Sequence, residues 1–174
     1  MLEILSVLCL FGGATLLIIL SIIDLKTFLL PNIYVFPFAL LGVTFHLTTQ
    51  FYHLDWQNMI LGGIVGYGTL YLIRMAGNKY YGQESLGLGD VKLLGAAGLW
   101  LGYENVLFAM TLGAAAGLIH GLIYALTLKL KTNEPFNMRR LVIPAGPGFA
   151  VGIVLVAGWM YKGHLIATLY ELMS

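Results

Sequence analysis

Between Glu3 and Asp24 the chain runs for twenty residues, Ile4 to Ile23, without one charged side chain. The hydrocarbon core of a bilayer is about 30 Å thick and takes roughly twenty helical residues to cross. Backbone amides in lipid must find their partners within the segment, and for one isolated run that means helix. A removable export signal would need a basic start and a small-residue cleavage site. Here no Lys or Arg precedes Asp24, so the run is read as a retained membrane span.

Composition extends this reading to the whole chain. Of its 174 residues 59% are hydrophobic and only 10% charged, where a soluble domain carries about a quarter charged. Lipid is therefore the solvent for most of the surface. The predicted fold is all-α, a polytopic membrane bundle of about six transmembrane helices near 4–23, 31–50, 57–73, 91–103, 106–128 and 143–161. Tyr103-Glu104-Asn105 is read as the break between the fourth and fifth. The pairs Gly62/Gly66 and Gly113/Gly117 have the small-xxx-small spacing that lets helices approach closely. With no linker, repeat or low-complexity stretch, residues 1–174 read as a single integral-membrane domain.

The basic residues set the orientation. Lys26, Arg74, Lys79 and Lys92, and then Lys129, Lys131, Arg139 and Arg140, all fall in or beside connections on one side of the bundle; only Lys162 is opposite. That side is expected to be cytoplasmic, with both termini external. A net charge of +1 offers no basic face for nucleic acid. The lone Cys9 excludes both a disulfide framework and a cysteine-built zinc site. His46, His53, His120 and His164 lack ligand spacing, so no metal or other cofactor is expected. A histidine within a span, such as His46, is expected to be hydrogen-bonded to a neighbouring helix.

Carboxylates near the ends of membrane helices are expensive to retain without a use. Glu3, Asp55, Glu104 and Glu171 fall on the outer side, where water reaches them, and Glu134 sits among cytoplasmic basic residues. Asp24, Glu84 and Asp90 remain. Asp24 closes the first span in Asp24-Leu25-Lys26-Thr27-Phe28-Leu29-Leu30-Pro31-Asn32, and Asp90 closes Gly87-Leu88-Gly89-Asp90 and opens the fourth span. Both stand at the cytoplasmic ends of helices, at one depth. Two adjacent carboxyls share a proton, so one can take a proton from water while the other donates to a carbonyl oxygen. The bland reading of each aspartate is a solvated helix end. A reading from another class is a small ion- or proton-coupled transporter or channel subunit with the aspartates as its ion site. Against it, the chain shows no duplicated, interrupted helices.

Glu84-Ser85-Leu86-Gly87-Leu88-Gly89-Asp90-Val91-Lys92-Leu93-Leu94, running on to Gly98-Leu99-Trp100-Leu101-Gly102, resembles the second active-site motif of bacterial type IV prepilin peptidases. Asp24 to Asn32 resembles their first motif, and Ile143-Pro144-Ala145-Gly146-Pro147-Gly148-Phe149 resembles the signature opening their last helix. The resemblance implies a GxGD-type membrane aspartyl protease in the bacterial cytoplasmic membrane, with Asp24 and Asp90 as its catalytic pair. It implies pilin-like precursors as substrates, cut on the cytoplasmic side between a basic leader and a hydrophobic helix. Gly87, Gly89, Glu84 and Lys92 match motif positions that shape the loop or touch the leader; for Glu84 and Lys92 a structural ion pair is the equal alternative. Many members carry a cysteine-rich insert after the first helix and also methylate the new N-terminus. The short Asp24–Leu30 connection has no cysteine, which argues for a peptidase-only form. The physiological precursor, the choice between pilus and secretion system, and the oligomeric state are not legible in the chain.

The charge asymmetry makes a topological prediction. Reporter fusions after Lys79 and Arg140 read cytoplasmic, and one after His53 reads external. An external signal from the segment before Asp90 would put the aspartates on the wrong face.

Overall fold

The computed structural model describes residues 2–132 and 144–173. All regular structure in these residues is helical: α1 (Leu2–Thr27), α2 (Asn32–Thr48), α3 (Trp56–Tyr81), α4 (Leu88–Thr132) and α5 (Gly146–Met173). Four of the five are long and apolar enough to cross a membrane; α2 is apolar but shorter. The predicted all-α bundle is thus observed, but as five helices, with the expected fourth and fifth spans joined in α4. Arg139, Arg140, Glu134 and Ile143 lie outside the described residues.

The joint in α4 is Gly102, at φ 77° and ψ 175°, a backbone conformation essentially open to glycine alone. It lies one residue before the predicted break at Tyr103-Glu104-Asn105, because the reversal needs a residue without Cβ and the polar residues after it are still helical. The two arms fold back on each other. Leu94 and Val106 both approach within 3.0 Å of the position a Cβ would take on Gly66, whereas twelve residues of straight helix span roughly 18 Å.

Breaking a helix orphans the carbonyls before the break and the amides after it. Side chains from other parts of the bundle repair the damage. The Tyr103 N–H donates to Asn58 Oδ1 at 3.1 Å, and Asn105 Nδ2 donates to the Leu101 carbonyl at 3.1 Å. The Trp100 carbonyl accepts from the Tyr161 hydroxyl and from His46 Nε2. Buried His46 therefore has the interhelical hydrogen bond expected of it. In the 49–55 connection, burial and then neighbouring His164 push His53 below its ordinary value, which keeps it neutral at neutral pH.

Around this hairpin α4 packs against α2, α3 and α5, and α1 closes against α2 and α5. Both predicted glycine pairs are crossing points. Gly62 meets the backbone of Gly98 and Gly102, and Gly113 meets Gly148 and Phe149. The Trp100 ring fills the middle of the bundle, 2.9 Å from the Cβ position of Gly13 and 2.8 Å from that of Gly42, and its Nε1 donates to the Phe38 carbonyl at 2.8 Å.

Two predicted boundaries move. The third span was expected to end at 73, but α3 continues to Tyr81, where Gly82 caps it at φ 68° with its N–H on the Asn78 carbonyl. The hydropathy pattern stops at the first charge, while a helix stops where its backbone is capped. The connection expected near 74–90 is therefore only 82–87. Likewise α5 runs on to Met173, past the end expected at 161.

The backbone contact between α3 and α4 can be tested by adding one carbon. Gly98→Ala drives a Cβ into the Gly62 carbonyl and should cost about 1–3 kcal/mol, read as a lower unfolding midpoint in detergent. Gly68→Ala meets open space and should be neutral or gain up to about 1 kcal/mol from helix propensity. Equal responses would mean that the crossing is not close-packed.

Candidate active site

Asp24 lies in the last turn of α1 and is 4% exposed. Its Oδ2 accepts the Gly146 N–H at 2.9 Å, one of the unpaired donors in the first turn of α5. Carboxylates are favoured at such a terminus by the partial positive charge of the helix dipole. A Cβ on Gly146 would sit 2.7 Å from the same oxygen, so the approach requires glycine. Four residues on, the Phe28 N–H donates to the Asp24 carbonyl at 2.9 Å, and Phe28 takes a left-handed φ of 55°. That turn ends α1 and directs the chain toward α4.

Asp90 lies in the first turn of α4, is 7% exposed, and receives the Gly87 backbone N–H. A carboxylate three positions into a helix that reaches back to the capping residue is half of a capping box. A Cβ on Gly87 would stand 2.9 Å from Asp90 Oδ2. Asp90 Oδ1 is buried without a hydrogen-bond partner among the described residues. Asp24 is close enough for its charge to act on Asp90, so the two predicted acids share one neighbourhood despite their separation in the chain.

The remaining predicted residues frame this neighbourhood. Gly89 faces Leu30, whose Cβ is 2.8 Å from where a Gly89 side chain would begin, so the 28–31 turn seats directly on α4. Lys92 Nζ donates to Asn32 Oδ1 at 3.1 Å and joins the second motif to the end of the first. Glu84 pairs with Arg74 at 2.7 Å, and Arg74 Nε also holds the Leu86 carbonyl at 2.9 Å. Asn78 Oδ1 accepts from both the N–H and the hydroxyl of Ser85, at 2.7 and 3.0 Å. The 82–87 connection is thereby clasped to the end of α3. Glu84 thus stands in an ion pair and Lys92 in a hydrogen bond to an amide.

Two contributors were not singled out from the sequence, and a third, Gly146, entered only within the last-helix signature. Arg74 had entered only as a charge in the topology count, although a lone cation at the end of an apolar run is a signal for an internal partner. Asn78 gave no signal. Gly146 acts through its backbone, which no side-chain pattern reveals. Chemically, the arrangement sets two buried carboxyls and two glycine N–H donors at the ends of three helices. Among the described residues no group of three His, Cys, Asp or Glu side chains is disposed to hold a metal ion.

Comparison with known proteins adds an independent line. The type IV leader peptidase family matches the chain over residues 11–122. Prepilin leader peptidase/N-methyltransferases are similar to it: that of Pectobacterium carotovorum subsp. carotovorum is 34% identical over 136 residues, covering 78% of this chain and 46% of the relative. Those of Dickeya chrysanthemi and Escherichia coli (strain K12) are 32% and 30% identical, covering 82% and 81% of this chain and 49% and 58% of the relatives. The chain thus spans about half the length of the curated relatives it matches. No solved structure matches it. Over most of its length, and through two of the three motifs that meet around Asp24, the chain belongs to the type IV leader peptidase family.

Proposed function

We propose that the chain is a membrane aspartyl endopeptidase that removes the basic leader from type IV pilin-like precursors at the cytoplasmic membrane face. The observation that carries this reading is the meeting of three motifs at one end of the bundle. Asp24 contacts Gly146, Asp90 feels Asp24, and Leu30 and Asn32 touch Gly89 and Lys92. In this reading residues 1–174 form one domain, and the two arms of α4, together with α2, bring the membrane crossings to six.

Catalysis needs one carboxylate and one carboxylic acid. The carboxylate takes a proton from water, and the oxygen so activated attacks the scissile carbonyl carbon while the acid donates its proton to the carbonyl oxygen. Return of a proton to the amide nitrogen then breaks the C–N bond, frees the new N-terminus and regenerates the pair. Asp90 Oδ1, at the end of the bundle where the motifs meet, has no hydrogen-bond partner among the described residues, which supports a group able to engage the substrate. Gly87 and Gly146 position the two acids through their backbones, and the Arg74–Glu84 clasp shapes the loop that precedes Asp90.

Asp24→Asn and Asp90→Asn keep the shape of each side chain and remove its proton chemistry. Each should reduce cleavage of a synthetic pilin precursor by roughly 10²–10⁴-fold or more, with the unfolding midpoint in detergent unchanged or raised. Glu84→Gln, which loosens the clasp, should lower cleavage only in part. Near-normal cleavage by either Asn variant would remove that residue from the machinery.

The 28–31 turn between α1 and α2 leaves no room for a cysteine-rich insert, which supports a peptidase without methyl transfer. Mature pilin produced by this chain alone should carry an unmodified N-terminus. Mass spectrometry that finds one added methyl group only when a methyl donor is supplied would overturn this.

A further inference from the structure

Two apolar hollows adjoin along the seam between α1 and α5. The first lies between Ile18 and Ile22 of α1 and Pro147 and Val151 of α5. The second lies past Gly13, Ala14, Ala157 and Gly158, up to Lys162 and Leu165. Leu17 and Val154 line both, so the two follow one another along the bundle surface as a groove. Among the described residues Lys162, at the far end, is the only charged one that lines it.

From the geometry we infer that this groove seats the hydrophobic helix of the precursor and so delivers the leader junction to Asp24. The inference rests on the peptidase reading above and adds the place where the substrate binds. Three observations select this occupant. The groove ends at the candidate site, because Ile22 is two residues from Asp24 and Pro147 follows the Gly146 whose N–H holds that carboxylate. From Pro147 to Leu165 its wall rises about 27 Å, close to the roughly 30 Å of a full hydrocarbon core. A lipid acyl chain covers one leaflet, only about half of that, whereas a membrane-spanning helix covers all of it. Finally, its lining carries Gly13, Ala14, Ala150, Ala157 and Gly158, and small side chains let a second helix backbone come close.

Gly158 provides the test, because a Cβ built there meets nothing within 4 Å. The side chain of Gly158→Leu therefore starts from open space in the groove, and that of Gly68→Leu from open space on α3. For a full-length precursor, Gly158→Leu should raise KM by about tenfold, with kcat within about twofold of the unmodified protein. Gly68→Leu should leave both unchanged. If the unmodified protein does not cleave the precursor, the peptidase reading fails. If it cleaves and Gly158→Leu leaves KM unchanged, or Gly68→Leu raises KM equally, the groove inference fails and the peptidase reading survives. As a measurement that tolerates a poorly folding leucine variant, Val154→Cys in a Cys9→Ser background should form disulfides with cysteines along one face of the precursor helix. Absence of cross-links at every position would place the helix elsewhere and overturn the inference.

Discussion

The contact between Asp24 and Gly146 depends on one backbone conformation that only glycine adopts easily, at the far end of the bundle from the site. Gly102 turns α4 back on itself. Without that reversal α5 would begin on the opposite side from Asp24, and the Gly146 N–H would have no carboxylate to meet. The reversal leaves amides and carbonyls without helical partners, and Asn58, Asn105, Tyr161 and His46 take them up. A short polar patch at one end of the molecule thus permits the convergence of motifs at the other.

The site is built mainly from helix ends. Asp24 stands at the C-terminal end of α1, Asp90 in the first turn of α4, and Gly146 at the first position of α5. Two helix N-termini, with their unpaired donors and partial positive charge, therefore face the pair of acids. The fold holds two carboxyl groups together through main-chain dipoles, and among the described residues neither is in a salt bridge with a lysine or arginine. Arg74, the cation in the last turns of α3, is engaged by Glu84 and the Leu86 carbonyl, and Lys92 by Asn32.

Much of this was legible in the amino-acid sequence because lipid imposes simple rules on a chain. Uncharged runs located α1 and the apolar stretches of the other helices, and the placement of cations aligned Asp24 with Asp90 before any geometry was known. The glycine spacings at 62/66 and 113/117 marked true crossings. What escaped was set by the backbone. The end of α3 is fixed by the left-handed Gly82, nine residues beyond the end expected at 73. The break in α4 depends on φ and ψ at Gly102, which the sequence marked as the end of the second motif and the neighbour of the expected break, without showing that its backbone makes the turn. The partner of Asp24 is an amide that every non-proline residue carries.

Trp100 is enclosed by Gly13 and Gly42 and stacks on Phe38 and Phe45 at centroid distances of 5.6 and 5.7 Å. Trp56 and Trp159 lie on the exposed surface. The three indoles of the chain therefore divide into two that face outward and one that is enclosed, its ring at the floor of the groove between α1 and α5. In optical terms the molecule carries its own gauge. The emission least accessible to a membrane-dissolved quencher comes from Trp100, whose carbonyl is held by Tyr161 and His46 and whose ring touches α1 and α2. A shift in that protected component would report a change in the packing that supports the distant aspartates, read without any added label.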